Sequence, residues 1–138
     1  MNRLIFSLLL TAAVGACSST QPLLGPKADD LAAAKALAAT APPEDEPVAP
    51  WLKTERERIK SEREAAGKRY DEAEKACWRR FAVNACLTDA RLQRRATVNR
   101  LRQEDLALNE VERQRLTATR VQELEQKQQD AADRNAAP

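Results

Sequence analysis

The chain contains no histidine. The commonest general base near neutral pH and the commonest metal-binding ring are therefore both missing. Aromatic residues make up only 4%, and charged residues reach 32%. The 43% apolar content is weighted towards alanine, whereas a thick core draws on Leu, Ile, Val and Phe; the balance is that of long solvated helices. Glycine is scarce, with three residues, and past Pro50 the next of the seven prolines is Pro138. Nothing from 51 to 137 therefore demands a tight turn or forbids a helix. No apolar run reaches the roughly 20 residues that span a bilayer as a helix. The formal net charge is +2, which selects no class of partner.

What is present begins at the N-terminus. Met1–Ala16 has a positive start with Arg3, an apolar run from Leu4 to Val14, and then small residues. That is the plan of a secretory signal peptide. The run is about 11 residues, or roughly 16 Å as helix, against a hydrocarbon core of about 30 Å. A signal peptide over 1–16 is expected, with a permanent membrane helix as the alternative.

Val14-Gly15-Ala16-Cys17 resembles the lipobox of bacterial lipoproteins, with Val in place of the commoner Leu three residues before the cysteine. The resemblance implies cleavage before Cys17, lipid attachment at Cys17 and anchorage to a membrane. Several acyl chains at one residue hold a protein firmly where a single chain is marginal. Ser18 follows, where Asp would resemble an inner-membrane retention signal, so the resemblance implies the cell envelope and the outer membrane, facing the periplasm. Of three cysteines, Cys77 and Cys86 then remain as a pair in an oxidising compartment.

Residues 17–50 read as a lipidated Ala/Pro-rich tether. A short helix is expected near 28–40, favoured by Pro26 before it and by Asp29 and Asp30 at its positive end. The segment 41–50 holds four prolines and three acids and is expected to be extended. No binding role is assigned to this spacer.

Two helices are expected beyond it, over 51–80 and 84–132, with a frayed tail at 133–138. An apolar stripe of seven-residue spacing runs through Leu52, Ile59, Ala66 and Ala73, with Tyr70 and Cys77 alongside. A strict heptad from Leu87 places Arg94, Arg115 and Gln122 in the seam, so a regular coiled coil is only partly supported.

Cys77 and Cys86 decide between architectures. In one unbroken helix they lie on opposite faces and about 13.5 Å apart along the axis, whereas a disulfide needs Cα atoms within about 7 Å. Asn84 is a preferred N-cap and Val83 before it suits an entering staple. The expected fold is all-α: a long antiparallel helical hairpin stapled by Cys77–Cys86, preceded by signal peptide and flexible tether. A continuous helix with free thiols and an intermolecular disulfide are the alternatives. A ten-residue disulfide loop adds roughly 2.7 kcal/mol on the chain-entropy model. The segment CxxxFAVNxCL, Cys77 to Leu87, resembles a signature of small uncharacterised helical exported proteins of Gram-negative bacteria. The resemblance implies fold and export, and brings no activity.

Between Lys75 and Arg102 eight basic residues face one acid, Asp89. Arg79, Arg80, Arg91, Arg94 and Arg95 form a candidate anion-binding patch for lipid phosphates, envelope polymers or an acidic protein; a solvated face is the plainer alternative. No nucleic-acid motif accompanies them, and nucleic acid is not an expected partner. No cofactor, metal site or enzymatic activity is expected: a cysteine pair without CxxC spacing or further ligands supports neither redox nor zinc chemistry. The functional expectation is a membrane-anchored structural or adaptor protein. A thin helix pair buries little apolar area and gains from a protein partner or self-association. The runner-up is a binding module using the basic tip for an anionic envelope component.

Overall fold

The computed structural model describes residues 26–136 and is all-helical within them. The expected signal peptide, the lipid site at Cys17 and the first part of the tether lie outside the described residues.

Helix α1 spans Ala28–Ala38, α2 spans Ala49–Cys77 and α3 spans Val83–Ala136. α2 begins in the segment expected to be extended, because Pro50 falls in its first turn, where a fixed φ and a missing N–H cost nothing. It ends at Cys77, three residues before the expected limit at Arg80. The next turn is tightened by Arg79 N–H donating to the Ala76 carbonyl and Arg80 N–H to that of Cys77. α3 starts at Val83, so Asn84 lies inside the first turn. There its carbonyl accepts the Thr88 hydroxyl at 2.9 Å. At the far end α3 stays helical to Ala136, through most of the tail expected to fray.

Both long helices pack by the heptad rows of the sequence. Leu52, Ile59 and Ala66 are buried on α2, and Leu87, Ala90, Leu101 and Leu108 on α3. The core itself is small: Leu52, Ile59, Leu101 and Leu108, with Leu37, Val48 and Trp51 packed around it. Each fully buried aliphatic side chain contributes about 1.5–3 kcal/mol, so four of them carry most of the apolar stabilisation. Cross-helix partners run from Arg56 with Glu112, through Glu62 with Arg100, to Cys77 with Cys86.

The segment 27–50 departs from the expected spacer. α1 lies against α3, with Ala34 buried and Leu37 on the core. Alanine side chains let helix backbones approach closely, which suits α1 to dock on a helix that already carries α2. The Arg115 guanidinium fastens the following loop, donating to the carbonyls of Pro42 and Pro43, the latter at 2.8 Å. A segment read as linker is thus held at both its helix and its loop.

Candidate functional site

The end of the α2–α3 pair is built around the disulfide. Cys77, the last residue of α2, bonds to Cys86 in the first turn of α3 with a Cα–Cα distance of 5.5 Å. Cys77 is buried, and the five residues 78–82 between the helices are all exposed. Phe81 is fully exposed and Trp78 is 67% exposed. Arg79 and Arg80 separate them in sequence. Two large aromatics and two guanidinium groups thus share a five-residue loop whose ends are covalently fixed.

The five arginines expected to form one patch fall into two groups. Arg79 and Arg80 belong to the loop, and Arg80 lines a cleft with Cys77, Cys86 and Asp89, the one acid of this stretch. Arg91, Arg94 and Arg95 line a separate shallow cleft with Tyr70, Val98 and Asn99. Arg94 is further committed, its guanidinium carbon 5.2 Å from the centre of the Tyr70 ring. That is cation–π range, and it explains how an arginine occupies the heptad row between Leu87 and Leu101. The side chain leaves the seam and covers the aromatic face of α2. Beside it, Ala66, Ala73 and Ala90 leave a groove of about 150 Å³ between the helices.

A second polar cluster, absent from the sequence expectations, lies nearer the core. Arg58 donates to Glu62 and Glu104, each at 2.7 Å, and Arg100 donates to Glu62 at 2.7 Å and also to Glu104. The four side chains close a ring with two positive and two negative charges, and Glu55 adds a further acceptor for Arg58 at 2.7 Å. Hydrogen bonds from Arg100 and then Arg58 hold the Glu62 carboxyl below the usual carboxylate range, outweighing the opposing effect of burial. The Glu104 side chain is only 4% exposed, so these partners replace the water that its oxygens lose on burial. The sequence does carry a signal for this ring. The same Arg-x-x-x-Glu spacing recurs at 58–62 on α2 and at 100–104 on α3, and this i,i+4 spacing faces along one helix side.

In the ring Glu62 and Glu104 each accept from both guanidinium groups, and residues 78–82 are open to solvent. Among the described residues no group of three His, Cys, Asp or Glu side chains converges as metal ligands. No described helix is long and apolar enough to cross a membrane. No protein-family model, curated protein or solved structure matches the chain.

Proposed function

We propose that the protein is a lipid-anchored envelope protein, held through Cys17, that acts as a structural or adaptor element through an antiparallel hairpin of α2 and α3. The antiparallel reading is supported by the cross-helix partners, whose numbers rise on α2 as they fall on α3. The observation that carries the adaptor reading is the far part of α3. From Leu116 to Ala136 every residue but Ala131 is exposed, including Leu116, Val121 and Leu124. These 21 residues extend about 31 Å as helix. A helical arm of that length is marginal in water without a surface to pack on, and three exposed large aliphatics supply the means of packing. The occupant is a protein partner or a second copy of the chain.

Two measurements test this. Intact mass of protein purified from its native envelope should show acyl mass on Cys17 and no residues before it. Multi-angle light scattering of the same material in detergent should give a dimer or a complex. A monomer whose α3 arm is as protected from amide exchange as its core would remove the need for any partner.

A second reading is favoured by the exposed loop: Arg79 and Arg80 beside Trp78 and Phe81 form a binding tip for an anionic envelope component. Replacing both arginines with Glu should abolish salt-sensitive binding to dextran sulfate, and unchanged binding would reduce the pair to solvation.

A further inference from the structure

The loop at the tip is an unusual place for exposed aromatics. Phe81 is fully exposed and Trp78 two-thirds exposed, although buried sites exist elsewhere on the same helices. A soluble loop gains nothing from presenting two large rings to water. Their neighbours narrow the choice of surface. Arg79 and Arg80 lie between them, Lys75 is in the last turn of α2, and Arg91, Arg94 and Arg95 follow on α3. In residues 75–95 these six bases oppose one acid, Asp89.

We infer that the disulfide-closed tip docks on a bilayer surface carrying anionic phospholipid headgroups, with Trp78 and Phe81 entering the interfacial region and Arg79 and Arg80 meeting the phosphates. This rests on the second reading above and specifies its ligand. Three features support it. Indole and phenyl rings gain most at a boundary with one apolar and one wet side, whereas a soluble polyanion would engage the arginines and leave both rings in water. The basic side chains complement an anionic surface, and each such charge near it strengthens binding roughly fivefold. Lastly, the first three residues of the loop have their backbone N–H groups already paired. The N–H groups of Trp78, Arg79 and Arg80 already donate to the carbonyls of Glu74, Ala76 and Cys77, so they need not be stripped of water unpaired. The Cys77–Cys86 bond fixes both ends of the loop, which lowers the ordering cost of docking.

The test uses the full chain with Trp51→Phe, so that Trp78 is the single indole and reports the tip whatever else holds the protein to lipid. Vesicles of phosphatidylcholine with about a third phosphatidylglycerol are compared with pure phosphatidylcholine, each with and without brominated acyl chains. The expected result is a blue-shifted Trp78 emission in the anionic vesicles and quenching by the brominated chains. Arg79→Gln with Arg80→Gln should lower the partition of the tip by roughly thirtyfold, and Phe81→Ser should lower both shift and quenching. A Trp78 emission that stays that of exposed indole in vesicles carrying the protein overturns the inference. So does a blue shift that depends on protein concentration and escapes quenching, since the tip then packs on another copy. Salt-sensitive binding to dextran sulfate without quenching overturns bilayer docking and leaves the anion-binding reading intact. Loss of both removes both.

Discussion

Leu101→Ala removes one of four side chains that form the core. Leu101 has no exposed surface and lies in the same cluster as Leu52, Ile59 and Leu108. Buried Leu→Ala changes cost about 2.7–5 kcal/mol, with the lower values where neighbours can close the gap. A layer one side chain thick between helices can close partly, so about 3 kcal/mol is expected here. Domains of this size have a total stability of about 5–15 kcal/mol, and a core of four large residues belongs at the low end. The substitution should therefore remove about half of the stability. Urea unfolding followed by circular dichroism at 222 nm, with the disulfide intact, should show the midpoint falling by about half at unchanged slope. Leu106→Ala is the control: five residues away on the same helix, 52% exposed, and expected to change stability by less than about 0.5 kcal/mol. Equal losses at the two positions would refute the claim that this cluster holds the helices together.

Three further outcomes follow from the polar contacts. Glu104→Ala deletes the buried acceptor of both Arg58 and Arg100 and should cost about 1.5–3 kcal/mol. In a double-mutant cycle it should couple to Arg58→Ala by more than about 0.5 kcal/mol, and strict additivity would show that the ring carries no shared energy. Acid should loosen the structure through Glu62. Its folded carboxyl titrates below the usual range, so its contribution is complete above the unfolded value of about 4.3 and is lost as pH falls through the folded one. Urea midpoints should then be flat from about pH 7 to 5 and fall below about pH 4, with a shallower fall in Glu62→Gln. Arg115→Ala removes the side chain that holds the Pro42 and Pro43 carbonyls. Cleavage after Glu44 by a glutamate-specific protease should accelerate severalfold without loss of helicity, and an unchanged rate would mean that the loop is fixed by other contacts.

The helices were legible because their signals are local. A seven-residue apolar row and the near-absence of glycine and proline point to helix whatever the neighbours, and the Cys77–Cys86 spacing excludes a bonded pair in one continuous helix. The structure carries that bond between two helices. Features that depend on a distant partner were not legible. Arg94 and Arg115 read as faults in a heptad, yet one covers Tyr70 and the other reaches a proline loop more than 70 positions earlier in the chain. α1 is the extreme case. Its composition allows either a free helix or a docked one, and only the surface offered by α3 decides. Local bonding at the tip also shifted the boundaries. The expected N-cap Asn84 is already helical, since α2 ends at Cys77, where backbone bonds tighten the next turn, and α3 starts at Val83. The arginines of the candidate patch were visible as a charge run, but their division between loop and helix needed the turn.

Stability in the α2–α3 pair is distributed unevenly along its length, and this has a measurable consequence. Around residues 52–63 and 100–112, the core, the ion-pair ring and α1 all act together. At the other end the disulfide acts almost alone. Between them lie Ala66, Ala73 and Ala90, a groove and the Arg94–Tyr70 stack, which bury little apolar surface. Reducing Cys77–Cys86 should therefore free the tip and leave the opposite end closed, since local opening follows local burial. Amide exchange measured before and after reduction should accelerate strongly in residues 69–76 and 87–94. It should change little in 53–62 and 101–111. Acceleration spread evenly over both helices would mean that the pair opens as one unit and that the core at the far end is not an independent clamp.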